Sequence, residues 1–393
     1  MKKWFVLLVA LSASLTTASW LNVAQEAPNV TGFATNTPNA PLPTVTPNNA
    51  VVTNTPAPTQ STSLGTPVQV YEPKECEYVA GKTASPACVA LMAQYPEPNV
   101  TPIRVDAETL DNYSFWRVGP DAVNTYDAPN GNISGQIPQG FNFVNVVAQT
   151  DGWIQSENGA WISTNDAYYK QPSTFTGVLL PQGWNQPFGW ILDTTGIYAS
   201  LTPGGESTSE SGLVPLHYER YNIFAEEVDA DGWSWYMVGP NQWVKQIYMA
   251  VIKPVQRPEG VSGRWVAIDL FEQSLVAYED DKPVFATLIS TGLPPNDTPE
   301  GVYTVWASLA RDSMSGATGA PNAYALQSVP WVKYFNDGIS LHGTYWHDFF
   351  GYRRSRGCVN LTVSDARWVY EFLEATPNSG TVVVMSTGEY RRP

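Results

Sequence analysis

Two short runs hold side chains able to do nucleophilic chemistry. Ile339-Ser340-Leu341-His342-Gly343-Thr344 ends an apolar stretch in an imidazole, and Arg353-Arg354-Ser355-Arg356-Gly357-Cys358-Val359-Asn360-Leu361 carries a thiol 16 residues further on. A thiol paired with imidazole becomes a thiolate nucleophile near neutral pH. Gly357 lets the backbone turn sharply beside Cys358, so that the Gly357 and Cys358 N–H groups can face a developing oxyanion. Arg353, Arg354 and Arg356 place three positive charges beside the thiol, where they can lower its pKa or bind substrate carboxylates. Each residue has a plainer alternative. Cys358 can be an inert strand residue, His342 a structural hydrogen-bonder, and the arginines a solvated loop. His347 reads as exposed, and His217 lies far from this region. Three His in all, with no His/Cys cluster at metal-ligand spacing, give no reason to expect a metal or other cofactor.

The cysteine count sharpens the question. Residues 1–19 read as a secretory signal: Lys2 and Lys3, an apolar run, then Thr16-Thr17-Ala18 as small residues for cleavage. The apolar run is too short to span a bilayer and no second one follows, so no stable membrane span is expected in the mature chain. Outside the cytoplasm, Cys76 and Cys88 read as a disulfide closing a short loop, which leaves Cys358 over. Net charge −15 repels phosphate backbones and argues against nucleic-acid binding. With 12% aromatic and 15% charged residues, 32 Pro and 30 Gly, the 393-residue chain has material for two to four domains, mostly β.

Several elements must position these groups. Residues 20–70 are a Thr/Pro/Asn-rich linker, and 71–112 a small segment around the Cys pair with no assignable fold. An internal repeat follows: Phe141-Asn142-Phe143 aligns with Tyr221-Asn222-Ile223, and Asp151-Gly152-Trp153 with Asp231-Gly232-Trp233, both at a spacing of 80. Each copy reaches a second Trp, at Trp161 and Trp243. Short strands joined by Asp-Gly and Asn-Gly turns describe small barrels. The pattern resembles two bacterial Src-homology-3-like domains, at 113–172 and 186–253. In exported proteins, that resemblance implies binding of wall peptides or support of a catalytic domain. A polar Pro/Gly joint at 254–262 leads into a unit at 263–388. Its expected strands are 265–270, 274–279, 284–289, 301–306 and 381–385. Its clear helix is 364–373, with Ser364 as N-cap and Asp365 in the first turn.

Residues 263–388 resemble the catalytic domain of the L,D-transpeptidases, the cysteine enzymes that cross-link bacterial peptidoglycan. The resemblance runs in order through Ser290-Thr291-Gly292, Thr298-Pro299-Glu300-Gly301, Val329-Pro330-Trp331 and His342-Gly343, and ends in Ser355-Arg356-Gly357-Cys358-Val359-Asn360. It implies a β-sandwich with one or two helices, Cys358 as nucleophile and His342 as general base. Gly343 would orient the imidazole through its carbonyl, Gly357 and Cys358 would form the oxyanion hole, and Ser355 would support the loop. Trp331, Tyr334, Arg356 and Asn360 are the substrate-binding candidates. One position departs: Arg356 stands where the family usually has a second His.

The resemblance implies a monomeric, exported or wall-associated enzyme acting on peptidoglycan stem peptides without a cofactor. The thiolate would attack the amide before the terminal D-alanine of a tetrapeptide, and an amine of a second stem would take the acyl group. Water as acceptor would make the enzyme an L,D-carboxypeptidase. A non-catalytic wall-peptide-binding protein is the alternative from another class. A papain-like endopeptidase would need Cys before His, and no His follows Cys358.

Overall fold

The computed structural model describes residues 73–192, 197–374 and 380–392, which fall in one compact unit. The segments 1–19 and 20–70 lie outside the described residues. Among the described residues no helix is long and apolar enough to cross a membrane.

The molecule is mostly β. A seven-stranded sheet runs Thr101–Pro102, Val178–Leu179, Lys282–Leu288, Ser274–Glu279, Arg264–Asp269, Thr381–Met385 and Gly301–Thr304. Its centre is dense in Val, Ile, Ala and aromatic residues, so both faces are covered. One face packs on the helix Val363–Glu374 and on the strands Ile339–Gly343 and Val359–Leu361. That core is built on Ile268, Leu341, Leu361, Val369, Leu373 and Val384. The helix begins one residue before the expected span, and its cap is Thr362, whose Oγ1 accepts from Asp365 N–H at 3.1 Å. Ser364 instead accepts from Asp106 N–H at 2.9 Å. Asp365 is buried, receiving Gly177 N–H (2.7 Å) and the Thr287 hydroxyl (2.6 Å).

The strand Tyr324–Asn336 forms a long hairpin with Ala307–Gly316 and also pairs with Ile339–Gly343. Sequence patterning misses most of this hairpin, because residues 308–316 lack an apolar alternation.

The expected domain boundaries do not survive as separate bodies. The strand Phe141–Thr150, inside the first repeat, pairs in parallel with Tyr324–Asn336, so one eleven-stranded sheet joins that repeat to the catalytic region. The joint at 254–262 is packed rather than free: Val255 and Val261 are buried with Trp190, Phe188 and Trp265 in one core. The segment 71–112 holds the helices Pro86–Met92 and Ala107–Asn112. Cys76 and Cys88 are bonded there, with Cα atoms 4.8 Å apart, and pack on Trp235 and Trp243 of the second repeat. The Asp-Gly pairs of both repeats sit at turns, with Gly152 at φ +74° and Gly232 at φ +79°, a conformation that favours glycine. Among the described strands no barrel closes: the second repeat is split between two three-stranded sheets.

Arg392 ties this arrangement together. Its buried guanidinium donates to the carbonyls of Gln246, Met249, Phe271 and Glu272, and to Glu272 Oε2 at 2.7 Å. Glu272 also receives Val251 N–H (3.1 Å) and the Tyr236 hydroxyl (3.3 Å), both from the second repeat.

Candidate active site

Strand register explains how His342 and Cys358 come to one face. Ile339–Gly343 and Val359–Leu361 are parallel, with Leu341 beside Val359 and His342 beside Asn360. Side chains alternate along a strand, so Ser340 and His342 share a face with Cys358 and Asn360. The thiol is half-buried. Its polar contacts are the Ser340 hydroxyl, which donates to it at 3.7 Å, and Gly338 O at 3.7 Å. No hydrogen bond joins it to His342.

His342 is buried at 2% exposure. Its Nδ1 lies 3.3 Å from Gly343 O. A carbonyl only accepts, so the ring proton sits on Nδ1 and the Nε2 lone pair is left for the cavity. Burial depresses the imidazole pKa to about 4. Burial also pushes the Cys358 thiol up, against the smaller opposing effect of its Ser340 hydrogen bonds. The expectation of a thiolate lowered by neighbouring arginines is therefore corrected. Desolvation dominates, and at neutral pH the site holds a neutral thiol and a neutral imidazole.

The loop carrying Cys358 is fixed on both sides. Arg354 N–H and Ser355 N–H donate to Thr291 O (3.0 Å each), Leu293 N–H to Ser355 O (2.9 Å), and the Thr298 hydroxyl to Gly357 O (2.7 Å). Gly357 has φ +110°, which side-chain-bearing residues rarely adopt. Ser355 Oγ donates to Cys358 O and accepts from Gly357 N–H at 3.2 Å. That occupies one of the two N–H groups assigned to the oxyanion.

The thiol opens on a cavity of about 430 Å³. Its lining combines His342, Cys358, Asn360 and Ser355 with Arg354 and Arg356, and with the apolar Phe141, Met314, Tyr324, Leu326, Trp346 and Phe349. The three arginines separate. Arg353 is paired with Asp297 at 2.8 Å and lies over the Tyr390 ring. Arg354 lies over Phe349, and Arg356 lies over Tyr324 and donates to Asn322 O; among the described residues neither has a carboxylate partner. Trp331 does not reach the cavity; its indole N–H donates to Thr109 Oγ1 (3.2 Å) and its ring lies under Arg367. Tyr334 is also outside the lining, donating to Asp312 Oδ2 at 2.8 Å.

Several residues of the site escape sequence reasoning, Met314, Leu326, Trp346 and Phe349 among them. Ser340 was detectable from alternation alone, two positions before His342. His347, expected to be exposed, is half-buried in the cavity wall, with Nε2 2.9 Å from the Asn360 side-chain amide. That contact is made by the Asn360 Nδ2, and Phe349 N–H approaches the His347 Nδ1 at 3.2 Å; a neutral imidazole accepts at only one of its two nitrogens. Burial, reinforced by Arg354, depresses its pKa to about 3. Tyr324 and Phe141 carry no local signal, because only strand pairing between distant segments brings them here.

Residues 263–385 match the YkuD family, the L,D-transpeptidase catalytic domain. YciB of Bacillus subtilis (strain 168), provisionally named an L,D-transpeptidase, is 26% identical over 121 residues, covering 27% of this chain and 59% of its own. Among solved structures, an L,D-transpeptidase (Yku) from Stackebrandtia nassauensis is 28% identical over 34% of this chain and 60% of its own, at TM-score 0.26. An L,D-transpeptidase from Mycobacterium tuberculosis H37Rv is 19% identical over 44% of this chain and 74% of its own, at TM-score 0.27.

Proposed function

We propose that this protein is an exported L,D-transpeptidase that cross-links or remodels peptidoglycan through a thioester on Cys358. The observation that carries the reading is the half-buried free thiol on the same strand face as a buried, neutral His342, within a region matching the L,D-transpeptidase catalytic domain. The Cys358 thiol attacks the amide carbonyl before the terminal D-alanine of a stem tetrapeptide, and its proton passes to His342 Nε2. That transfer requires the thiol to leave its Ser340 contact and turn to the imidazole. The tetrahedral oxyanion is met by the Cys358 N–H. Collapse breaks the C–N bond, and D-alanine leaves with the proton held by His342. An amine of a second stem peptide then attacks the thioester and gives its proton to His342. Collapse forms the new amide and returns the thiol. Arg354 and Arg356, which have no carboxylate partner among the described residues, receive the acidic groups of the stem.

The disulfide Cys76–Cys88 and the signal-like residues 1–19 support export. The repeated Asp-Gly-Trp turns support reading 113–172 and 186–253 as modules of Src-homology-3-like kind, here fused onto the catalytic sheets. Mass spectrometry of muropeptides after incubation tests the reading. The wild-type chain is expected to lose D-alanine from tetrapeptides and form cross-links, and folded Cys358→Ala to do neither. Turnover by that variant would refute it.

A further inference from the structure

The cavity wall opposite the catalytic strands is not built by residues 263–385 alone. Phe141 pairs with Tyr324, and Phe143 with Leu326, across the parallel seam. Phe141 N–H donates to Ala323 O (2.8 Å), Asn145 N–H to Gln327 Oε1 (3.1 Å), and Ser328 Oγ to the Glu157 carboxylate (2.5 Å). At Gly140 an added Cβ would stand 2.6 Å from Ala323 O, so the two backbones meet at a distance no side chain tolerates there. The first repeat thus anchors the strand that presents Tyr324 and Leu326 to the thiol.

Phe141 is 39% exposed, yet its ring is braced. The Arg117 guanidinium lies 4.4 Å from its centroid and donates to Asn142 O and Gly140 O (3.1 and 3.4 Å). The Phe143 ring lies 5.1 Å away. A held aromatic face left open to the cavity is placed to bind an apolar group at low entropic cost. With Met314, Tyr324 and Leu326 it gives the cavity an apolar lining, to which Arg354 and Arg356 add positive charge, Arg356 from over the Tyr324 ring itself. A ligand matching both features is an extended peptide with aliphatic stretches and a carboxylate.

We propose that Phe141, from the first repeat, is a specificity-determining residue that packs on the aliphatic part of the stem peptide, so that the accessory module is a structural part of the substrate site. This rests on the stem-peptide reading above, but its test needs no turnover. Cys358 in the full chain is alkylated with iodoacetamide, followed by intact mass, with a free-acid stem tetrapeptide as protectant. Phe141→Ala is expected to raise the half-protecting concentration about tenfold and Phe141→Leu less than about threefold, each measured against that variant's own alkylation rate without peptide. Phe141→Gln, which keeps the bulk, decides the matter if the Ala variant melts early. A rise under about threefold in folded Phe141→Ala or Phe141→Gln overturns the proposal, as does failure of the tetrapeptide to protect the wild-type thiol. Protection that shifts as expected in a chain that makes no cross-links refutes the transferase reading and supports the wall.

Discussion

At pH 5.5 an ordinary imidazole is about 90% protonated and a poor base. His342, held to about 4 by burial, would still be about 97% neutral there. The perturbation is therefore a simple pH series on kcat/KM for a stem tetrapeptide. The imidazole contribution should stay within about 10% of its neutral-pH value down to pH 5.5 and halve near pH 4. A base with an unshifted pKa would lose about tenfold by pH 5.5. An acid limb centred between pH 6 and 7 would refute the assignment of the buried His342 as the group that must be neutral. Stability does not isolate the same group. As pH falls, the unfolded chain protonates His342 from about 6.5, the fold only near 4. The associated stability is full above 6.5 and falls by about 3 kcal/mol below 4. Asp365 opposes this: burial raises it to about 6, so the fold takes up its proton before the unfolded chain does and gains stability as pH drops from 6 toward 4. His347, depressed to about 3, adds a loss of the same sign as that of His342, so stability mixes three groups and the kinetic limb is the clean measurement.

Two further tests address the anchoring of the site and its charge. Arg392→Met removes the ion-pair partner of buried Glu272, leaving it Val251 N–H, the Tyr236 hydroxyl and the more distant charge of Lys253, and should cost about 3–5 kcal/mol in urea unfolding. Arg392→Met combined with Glu272→Gln should recover part of that, and additive losses would show the pair to be uncoupled. Arg356→Gln should lower kcat/KM on a free-acid tetrapeptide about tenfold more than on its amidated form; equal losses on both would remove carboxylate recognition by Arg356.

Much of the catalytic region was legible in the chain because its signals are local. The strands Ser274–Glu279 and Thr381–Met385 follow from apolar runs, and the helix Val363–Glu374 from its periodicity. His342, Cys358, the leftover thiol and the Asp-Gly turns needed only residue type and spacing. Three things were decided by tertiary structure. The protonation states of Cys358 and His342 depend on how much water the fold removes, and burial outweighs the nearby arginines that sequence puts first. The fate of those arginines depends on partners far along the chain: Asp297 engages Arg353, while among the described residues no carboxylate engages Arg354 or Arg356. Finally, the contribution of Phe141, like the fusion of the repeats with the catalytic sheets, rests on pairing between strands almost 200 residues apart, for which no local pattern exists.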